Sequence, residues 1–79
     1  MATIEIFTSD DCGQCETVIE RAEEIVEESD AKLQIHNVTE DRSTALNYGI
    51  FSVPTTVVDE EVTLRGVPSY EELRDAVEN

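Results

Sequence analysis

The stretch TIEIFTSDDCGQC, residues 3–15, joins a β-rich segment to a pair of cysteines through a short polar turn. Residues 3–8 alternate with a period of two, which predicts a strand. Phe7 interrupts the polar side of that alternation, so we expect both faces of the strand to be covered. Residues 9–11 have the Ser-Asp-Asp composition of a turn or helix cap, and the two cysteines follow directly.

Downstream of the cysteines the hydrophobic period changes. From Gly13 the apolar residues recur at steps of three and four, which predicts an amphipathic helix to about Ser29. The next predicted elements are a strand over 33–38 and a short helix through Ala45–Tyr48 that ends at Gly49. Two strands follow, over 53–58 and 62–65. The last element is a helix whose capping box is Ser69 and Glu72.

The predicted order is therefore β-α-β-α-β-β-α, in a single domain spanning residues 1–79. A parallel first β-α-β unit and a final antiparallel hairpin fit an α/β fold, with a mixed four-stranded sheet flanked by helices on both faces. The turn of the hairpin is predicted at Asp59-Glu60-Glu61, where Asp59 and Glu60 would make a poor two-residue turn. Neither residue type takes a positive φ as readily as Asn or Gly, so we expect a longer, looser turn than a two-residue one.

The charge balance excludes one class of partner. Nineteen acidic residues face five basic ones, for a net charge of −14, so nucleic acid is not expected as a main partner. Because the acids alternate with aliphatic residues, we do not predict a disordered tail. Two explanations stay open: a docking surface for a basic partner, and adaptation of the whole surface to concentrated salt, which we favour.

No stretch approaches the roughly 20 apolar residues that cross a bilayer, and the N-terminus shows no secretory signal pattern. We therefore expect a cytoplasmic protein without a membrane partner. Nothing in the sequence demands an oligomer, and we expect a monomer.

Both cysteines of the chain lie in Cys12-Gly13-Gln14-Cys15. A pair at this spacing indicates redox chemistry or half of a metal site. It lies where the first strand meets the first helix, and the unpaired N–H groups and partial positive charge of a helix N-terminus stabilise a thiolate. Residues three apart share a helix face and suit a disulfide, whose Cα atoms prefer a separation of roughly 5.5 Å. We predict that Cys12 attacks a substrate disulfide and that Cys15 resolves the mixed disulfide.

Two alternatives concern the same pair. It could be inert and buried, although structural cysteines rarely open helices. It could hold zinc, but a zinc site needs three or four protein ligands, and His36 is the only other soft ligand. We predict no metal and no cofactor other than a redox-active disulfide between Cys12 and Cys15. A lone histidine on a strand is most often a surface or packing residue, so His36 receives no role.

Three segments together resemble the thioredoxin–glutaredoxin superfamily, and its short single-domain archaeal members most closely. They are Phe7-Thr8-Ser9 before the cysteines, the run from Tyr48 to Thr55, and Gly66 after the fourth strand. The resemblance implies a thioredoxin-like fold and a cis Val53–Pro54 bond against the cysteines, with the Val53 backbone free to pair with an extended substrate. The substrate-binding residues implied are Gly13, Gln14, Val53, Pro54 and Gly66.

The resemblance also implies an activity, the reduction of disulfides in proteins by a dithiol mechanism, with a thioredoxin reductase as electron donor. One alternative is a glutaredoxin-like reductase that uses a small-molecule thiol. Another is a non-enzymatic module in which the pair binds a metal or a partner. The acidity suggests a halophilic source.

The sequence departs from the family pattern near the cysteines. Gly13, Gln14 and Asp11 stand where common variants carry a proline or an aromatic residue, and no pair matches the buried Asp–Lys pair of larger thioredoxins. The proton donor for Cys15 is therefore open, although Thr8 could offer a hydroxyl. Acidic neighbours disfavour a thiolate, so we expect a reduction potential nearer to about −270 mV than to about −120 mV.

Overall fold

Strand β1 (Thr3–Thr8) is the centre of the fold, because five of its six residues are buried. The structure is a computed structural model and describes residues 2–78. The remaining elements are α1 (Cys15–Glu28), β2 (Lys32–Asn37), α2 (Arg42–Asn47), β3 (Thr55–Val58), β4 (Val62–Arg65) and α3 (Tyr70–Glu78). The predicted β-α-β-α-β-β-α order is confirmed.

The four strands form one mixed sheet in the order β2-β1-β3-β4. Strand β1 is parallel to β2 and antiparallel to β3, and β3 forms an antiparallel hairpin with β4. The α/β class with a mixed four-stranded sheet is confirmed.

Helices cover both faces of this sheet. Successive residues of β1 point to opposite faces of the sheet, as they do in any strand. Ile4 and Ile6 belong to one core cluster, and Phe7 belongs to another. The first cluster includes residues of α1 and α3, namely Val18, Ala22, Ile25 and Leu73. The second includes residues of β3, α2 and the loop after it, namely Val57, Ala45 and Ile50.

Helix α1 begins at Cys15, two residues later than the sequence predicted. The residues before it form a turn, in which the Cys12 N–H donates to the Ser9 carbonyl at 3.2 Å. Cys12 therefore precedes the helix and does not lie in its first turn. The helix ends at Glu28, and Ser29 is its C-cap, close to the predicted end.

The turn between β3 and β4 spans residues 59–61, so it is longer than a two-residue turn, as predicted, but the expectation of a loose turn was wrong. Asp59 and Glu60 have φ values of 54° and 62°, and the Glu61 N–H donates to the Val58 carbonyl at 3.1 Å. A contact distant in sequence explains the turn. The Asp59 N–H donates to the Thr3 carbonyl at 2.9 Å, and its carboxylate accepts from the Thr3 N–H at 2.9 Å. The start of β1 thus holds the turn in its left-handed conformation.

Side-chain caps fix the two shorter helices. The predicted capping box before α3 is confirmed, since the Ser69 hydroxyl accepts from the Glu72 N–H at 3.1 Å and the Glu72 carboxylate accepts from the Ser69 N–H at 3.2 Å. Asp41 caps α2 by accepting from the Thr44 N–H at 3.2 Å, and Gly49 takes the predicted left-handed conformation, with a φ of 70°. Among residues 2–78, no helix has the length and apolar character needed to span a membrane.

Candidate redox site

Cys12 and Cys15 form a disulfide at the edge of the sheet where β1 ends. The S–S distance is 2.05 Å and the two Cα atoms are 5.5 Å apart. Cys15 is only 4% exposed, whereas Cys12 is half-buried. The leading cysteine is therefore the more accessible of the two.

The N-terminus of α1 faces this disulfide without competition from a side-chain cap. Gln14 is the N-cap residue and makes no capping hydrogen bond, and Glu16 is the only acidic residue in the first turn. The backbone N–H groups of that turn and the positive end of the helix are thus available to a thiolate formed at the cysteines.

A hydrogen-bonded bridge connects the turn before Cys12 to the loop after β2. The Asn37 amide donates to the Asp10 carboxylate at 2.7 Å, and the Thr39 hydroxyl accepts from the Asp10 N–H at 3.4 Å. Sequence reasoning missed Asn37 and Thr39. The predicted topology does indicate that this contact is possible. Parallel strands end at the same edge of the sheet, and Asn37 is the last residue of β2, so it lies near the turn that follows β1.

The segment before β3 has the geometry that the family resemblance implied. The Val53–Pro54 peptide bond is cis, and the Gly66 N–H donates to the Pro54 carbonyl at 3.0 Å. Gly66 has a φ of 78°, a conformation that favours glycine. Within residues 2–78, neither the N–H nor the carbonyl of Val53 has a hydrogen-bond partner, so both remain available to an extended segment.

Gly13 and Gln14 lie between the cysteines and are exposed. A Cβ atom added at Gly13 would touch nothing within 4 Å, so the structure does not require glycine there for reasons of space. The structure therefore places both residues at an accessible position next to the disulfide, and their binding role stays a prediction.

An apolar groove of about 360 Å³ begins at Val53 and extends along α2. Phe51 and Leu46 on its walls are 87% and 66% exposed. None of its nine lining residues is acidic and one is basic; they are Val38, Thr39, Arg42, Ala45, Leu46, Ile50, Phe51, Ser52 and Val53. No pattern in the sequence predicted this groove.

The N-cap of α2 supports the groove. The Thr44 side-chain and backbone hydrogen bonds to the Asp41 carboxylate lower its pKa below the ordinary value of 3.8. Asp41 is therefore ionised at neutral pH, and its charge and hydrogen bonds stabilise the helix N-terminus.

A second polar cluster lies on the sheet face that α2 partly covers. The buried Glu5 carboxylate contacts His36 Nε2 at 3.0 Å and accepts from the Tyr48 hydroxyl at 3.0 Å. The His36 ring stacks on Phe7 with ring centroids 4.8 Å apart. His36 is thus a packing residue in this cluster. Among the described residues, no group of three or more His, Cys, Asp or Glu could hold a metal ion.

Comparison with known proteins agrees with this geometry. The thioredoxin-domain family model matches residues 2–78. The chain belongs to the thioredoxin family. It is 34% identical to a probable thioredoxin of Methanothermobacter thermautotrophicus over 98% of this chain and 93% of that protein. It is 36% identical to a thioredoxin of Methanocaldococcus jannaschii over 94% of this chain and 89% of that one.

A solved structure of a thioredoxin point mutant from Halobacterium salinarum superposes with a TM-score of 0.89. It is 30% identical to this chain, and the match covers 98% of this chain and 72% of that one. The predicted thioredoxin-like fold and the predicted class of activity are both confirmed. The protein is a thiol–disulfide oxidoreductase of the thioredoxin type, and its redox group is the Cys12–Cys15 disulfide.

Proposed function

We propose that this thioredoxin reduces disulfides in proteins, with Cys12 as the nucleophile and Cys15 as the resolving cysteine. The observation that carries this assignment is the unequal burial of the two cysteines, since Cys15 is 4% exposed and Cys12 is more accessible. A substrate disulfide reaches the outer sulfur first, and only an intramolecular attack can use the inner one.

The proposed reaction has two displacements. The Cys12 thiolate attacks one sulfur of the substrate disulfide, so a mixed disulfide forms and a substrate thiolate leaves. The Cys15 thiol then loses its proton, and its thiolate attacks the Cys12 sulfur. The Cys12–Cys15 bond forms, the bond between Cys12 and the substrate breaks, and the second substrate thiolate leaves. The substrate gains two electrons and this protein becomes oxidised.

We assign substrate docking to the segment around Pro54. The unpaired Val53 backbone supports strand-like pairing with an extended substrate segment. Gly66 flanks this segment, and Gly13 and Gln14 lie exposed beside the sulfurs. The apolar groove beyond Val53 offers a surface for side chains that neighbour the substrate cysteine. Strand-like pairing at Val53 next to this groove supports proteins, rather than small disulfides alone, as substrates.

The test is reduction of insulin by dithiothreitol in molar KCl, with Cys12→Ser and Cys15→Ser variants. We expect an active wild type, an inactive Cys12→Ser, and a Cys15→Ser that accumulates the mixed disulfide. A folded wild type that does not reduce insulin would contradict the proposal. An inactive Cys15→Ser together with a Cys12→Ser that accumulates the mixed disulfide would reverse the assignment of the two cysteines.

Electron supply has two candidates. The family implies a thioredoxin reductase, and this is the donor that we propose. A small-molecule thiol is favoured by one observation: Arg42 is the only charged residue lining the groove next to Val53, and a carboxylate of such a thiol could pair with it. Rates of re-reduction by a reductase and by glutathione separate the two donors.

We further propose that the chain works as a monomeric single domain in the cytoplasm of a salt-adapted organism. The support is its net charge of −14. At about 1 M salt the screening length falls to about 3 Å, so repulsion between surface carboxylates largely vanishes. We expect the melting temperature to rise from dilute buffer to molar KCl. An unchanged melting temperature would favour the alternative that the acids form a docking surface for a basic partner.

A further inference from the structure

Thr56 carries a polar group that the proposed mechanism does not yet use. Its side chain is fully buried, and within residues 2–78 its hydroxyl has no hydrogen-bond partner. Buried hydroxyl groups are almost always paired, because an unpaired one carries an uncompensated desolvation penalty. A partner that exists only in another state of the protein would explain why a hydroxyl is kept at this position.

The fold places Thr56 on the sheet face that α1 and α3 cover. Its antiparallel partner in β1 is Ile6, which packs in the same core cluster as Val18 of α1. Cys15 lies one helical turn before Val18 on the buried side of α1. The next residue of β3, Val57, belongs to the cluster on the other sheet face, so Thr56 points to the α1 face.

The state that changes under α1 is the redox state of Cys15. In the disulfide its sulfur carries no charge and is a weak acceptor. Reduction adds two electrons and two protons, breaks the bond between Cys12 and Cys15, and leaves two thiols. When the Cys15 thiol then loses its proton, a negative charge resides on a sulfur that is only 4% exposed. A buried charge of this kind needs a hydrogen-bond donor.

We propose that the Thr56 hydroxyl donates a hydrogen bond to the Cys15 thiolate of the reduced protein. The inference rests on the proposed role of Cys15 as the resolving cysteine. The hydrogen bond favours the deprotonated form of Cys15 in the mixed disulfide, and this is the form that attacks the Cys12 sulfur. Thr56 stabilises the negative charge, while the Cys15 proton goes to solvent or to the departing substrate thiolate.

The test is an acid titration of Cys15 in the reduced Cys12→Ser background, followed by the ultraviolet absorbance of the thiolate. Thr56→Val keeps the shape and removes the hydroxyl, Thr56→Ser keeps the hydroxyl, and Thr63→Val makes the same change at an exposed position of β4. A hydrogen bond to a charged group predicts a roughly tenfold smaller acid dissociation constant in Thr56→Val. Thr56→Ser should stay close to the parent, and Thr63→Val should be unchanged.

A Thr56→Val that titrates like the parent would overturn the inference. If Thr8→Val then reduces the acidity of Cys15, the donor is Thr8, which also carries a buried hydroxyl near the end of β1.

A second measurement separates this role from a structural one. Thr56→Val should leave the oxidised protein as stable as wild type or more stable, and it should destabilise the reduced protein at alkaline pH, where the Cys15 thiolate is populated. Equal shifts in both redox states would show a structural role only and overturn the inference. If Cys15→Ser fails to trap a mixed disulfide, the proposed function fails. If it traps one but Thr56→Val titrates like the parent, only this inference fails.

Discussion

Phe51 provides a direct test of whether the groove beside Val53 binds protein substrates. Its side chain is 87% exposed on the wall of that groove, so almost all of its surface is available to a substrate and little is used by the fold. Fully burying a phenylalanine side chain stabilises by about 1.5–3 kcal/mol. If a substrate covers about two-thirds of it, Phe51→Ser removes roughly 1–2 kcal/mol, about a tenfold loss in kcat/KM.

The assay compares two substrates on the same variant. Phe51→Ser should lose about tenfold in kcat/KM for insulin, and it should reduce a small aromatic disulfide at the wild-type rate, because such a molecule does not reach the groove. Val62→Ser is the matched control. Val62 is also exposed and apolar, at 39%, but its register partner Val58 lies at the opposite end of the sheet from the disulfide.

Equal losses on both substrates would refute the reasoning, because the variant would then have damaged the chemistry at the cysteines rather than the docking of the substrate. Wild-type activity of Phe51→Ser on insulin would also refute it, and would show that proteins bind without using the groove. A lower melting temperature for Phe51→Ser than for Val62→Ser would contradict the premise that the fold uses little of this side chain.

Two further predictions concern stability. Glu60 has a φ of 62°, a conformation that asparagine tolerates better than glutamate. Glu60→Asn should therefore raise the free energy of unfolding by about 0.5–1 kcal/mol relative to Glu61→Asn, which removes the same charge. Equal unfolding midpoints of the two variants in urea would contradict this. The hydrogen bond from the Tyr48 hydroxyl to Glu5 raises the pKa of Tyr48 above its ordinary value of 10.0. This bond therefore stabilises the folded protein below pH 10.0, and the stabilisation is lost as the pH rises through the higher pKa of the folded state. Tyr48→Phe should therefore be less stable than wild type at neutral pH, and the difference should shrink in alkaline urea titrations; a difference independent of pH would exclude this linkage.

The order of the elements could be predicted because each element follows from a local pattern. Residues 3–8 show the alternation of a strand, and Ser69 with Glu72 forms a cap that needs no distant partner. The prediction failed where a distant contact decides the conformation. The left-handed turn at Asp59 is held by Thr3, which is 56 residues away in sequence, and no local preference indicates that contact.

The residues of the site also fall into those that a local motif predicts and those that only the packing brings together. Cys12, Cys15 and Pro54 lie in short motifs that can be identified in the sequence without knowledge of the fold. Phe51 and Leu46 are exposed apolar residues on different segments, and only the packing of α2 against the following loop brings them to one groove. Single exposed apolar residues are common on protein surfaces, so neither residue indicated a binding site in the sequence.

The apolar groove and the acidic surface both suit a protein that works in concentrated salt. A chain with 19 acidic residues has none among the nine that line the groove, so the surface around Val53 differs from the rest of the molecule. In concentrated salt, steering by charge is largely screened, whereas exclusion of salt from apolar surfaces strengthens apolar contacts. If the acidity is an adaptation to salt, an apolar groove is the kind of surface that still recognises a substrate under those conditions. The carboxylates then keep the rest of the molecule hydrated, and under the proposed docking role the residues around Val53 contact the substrate.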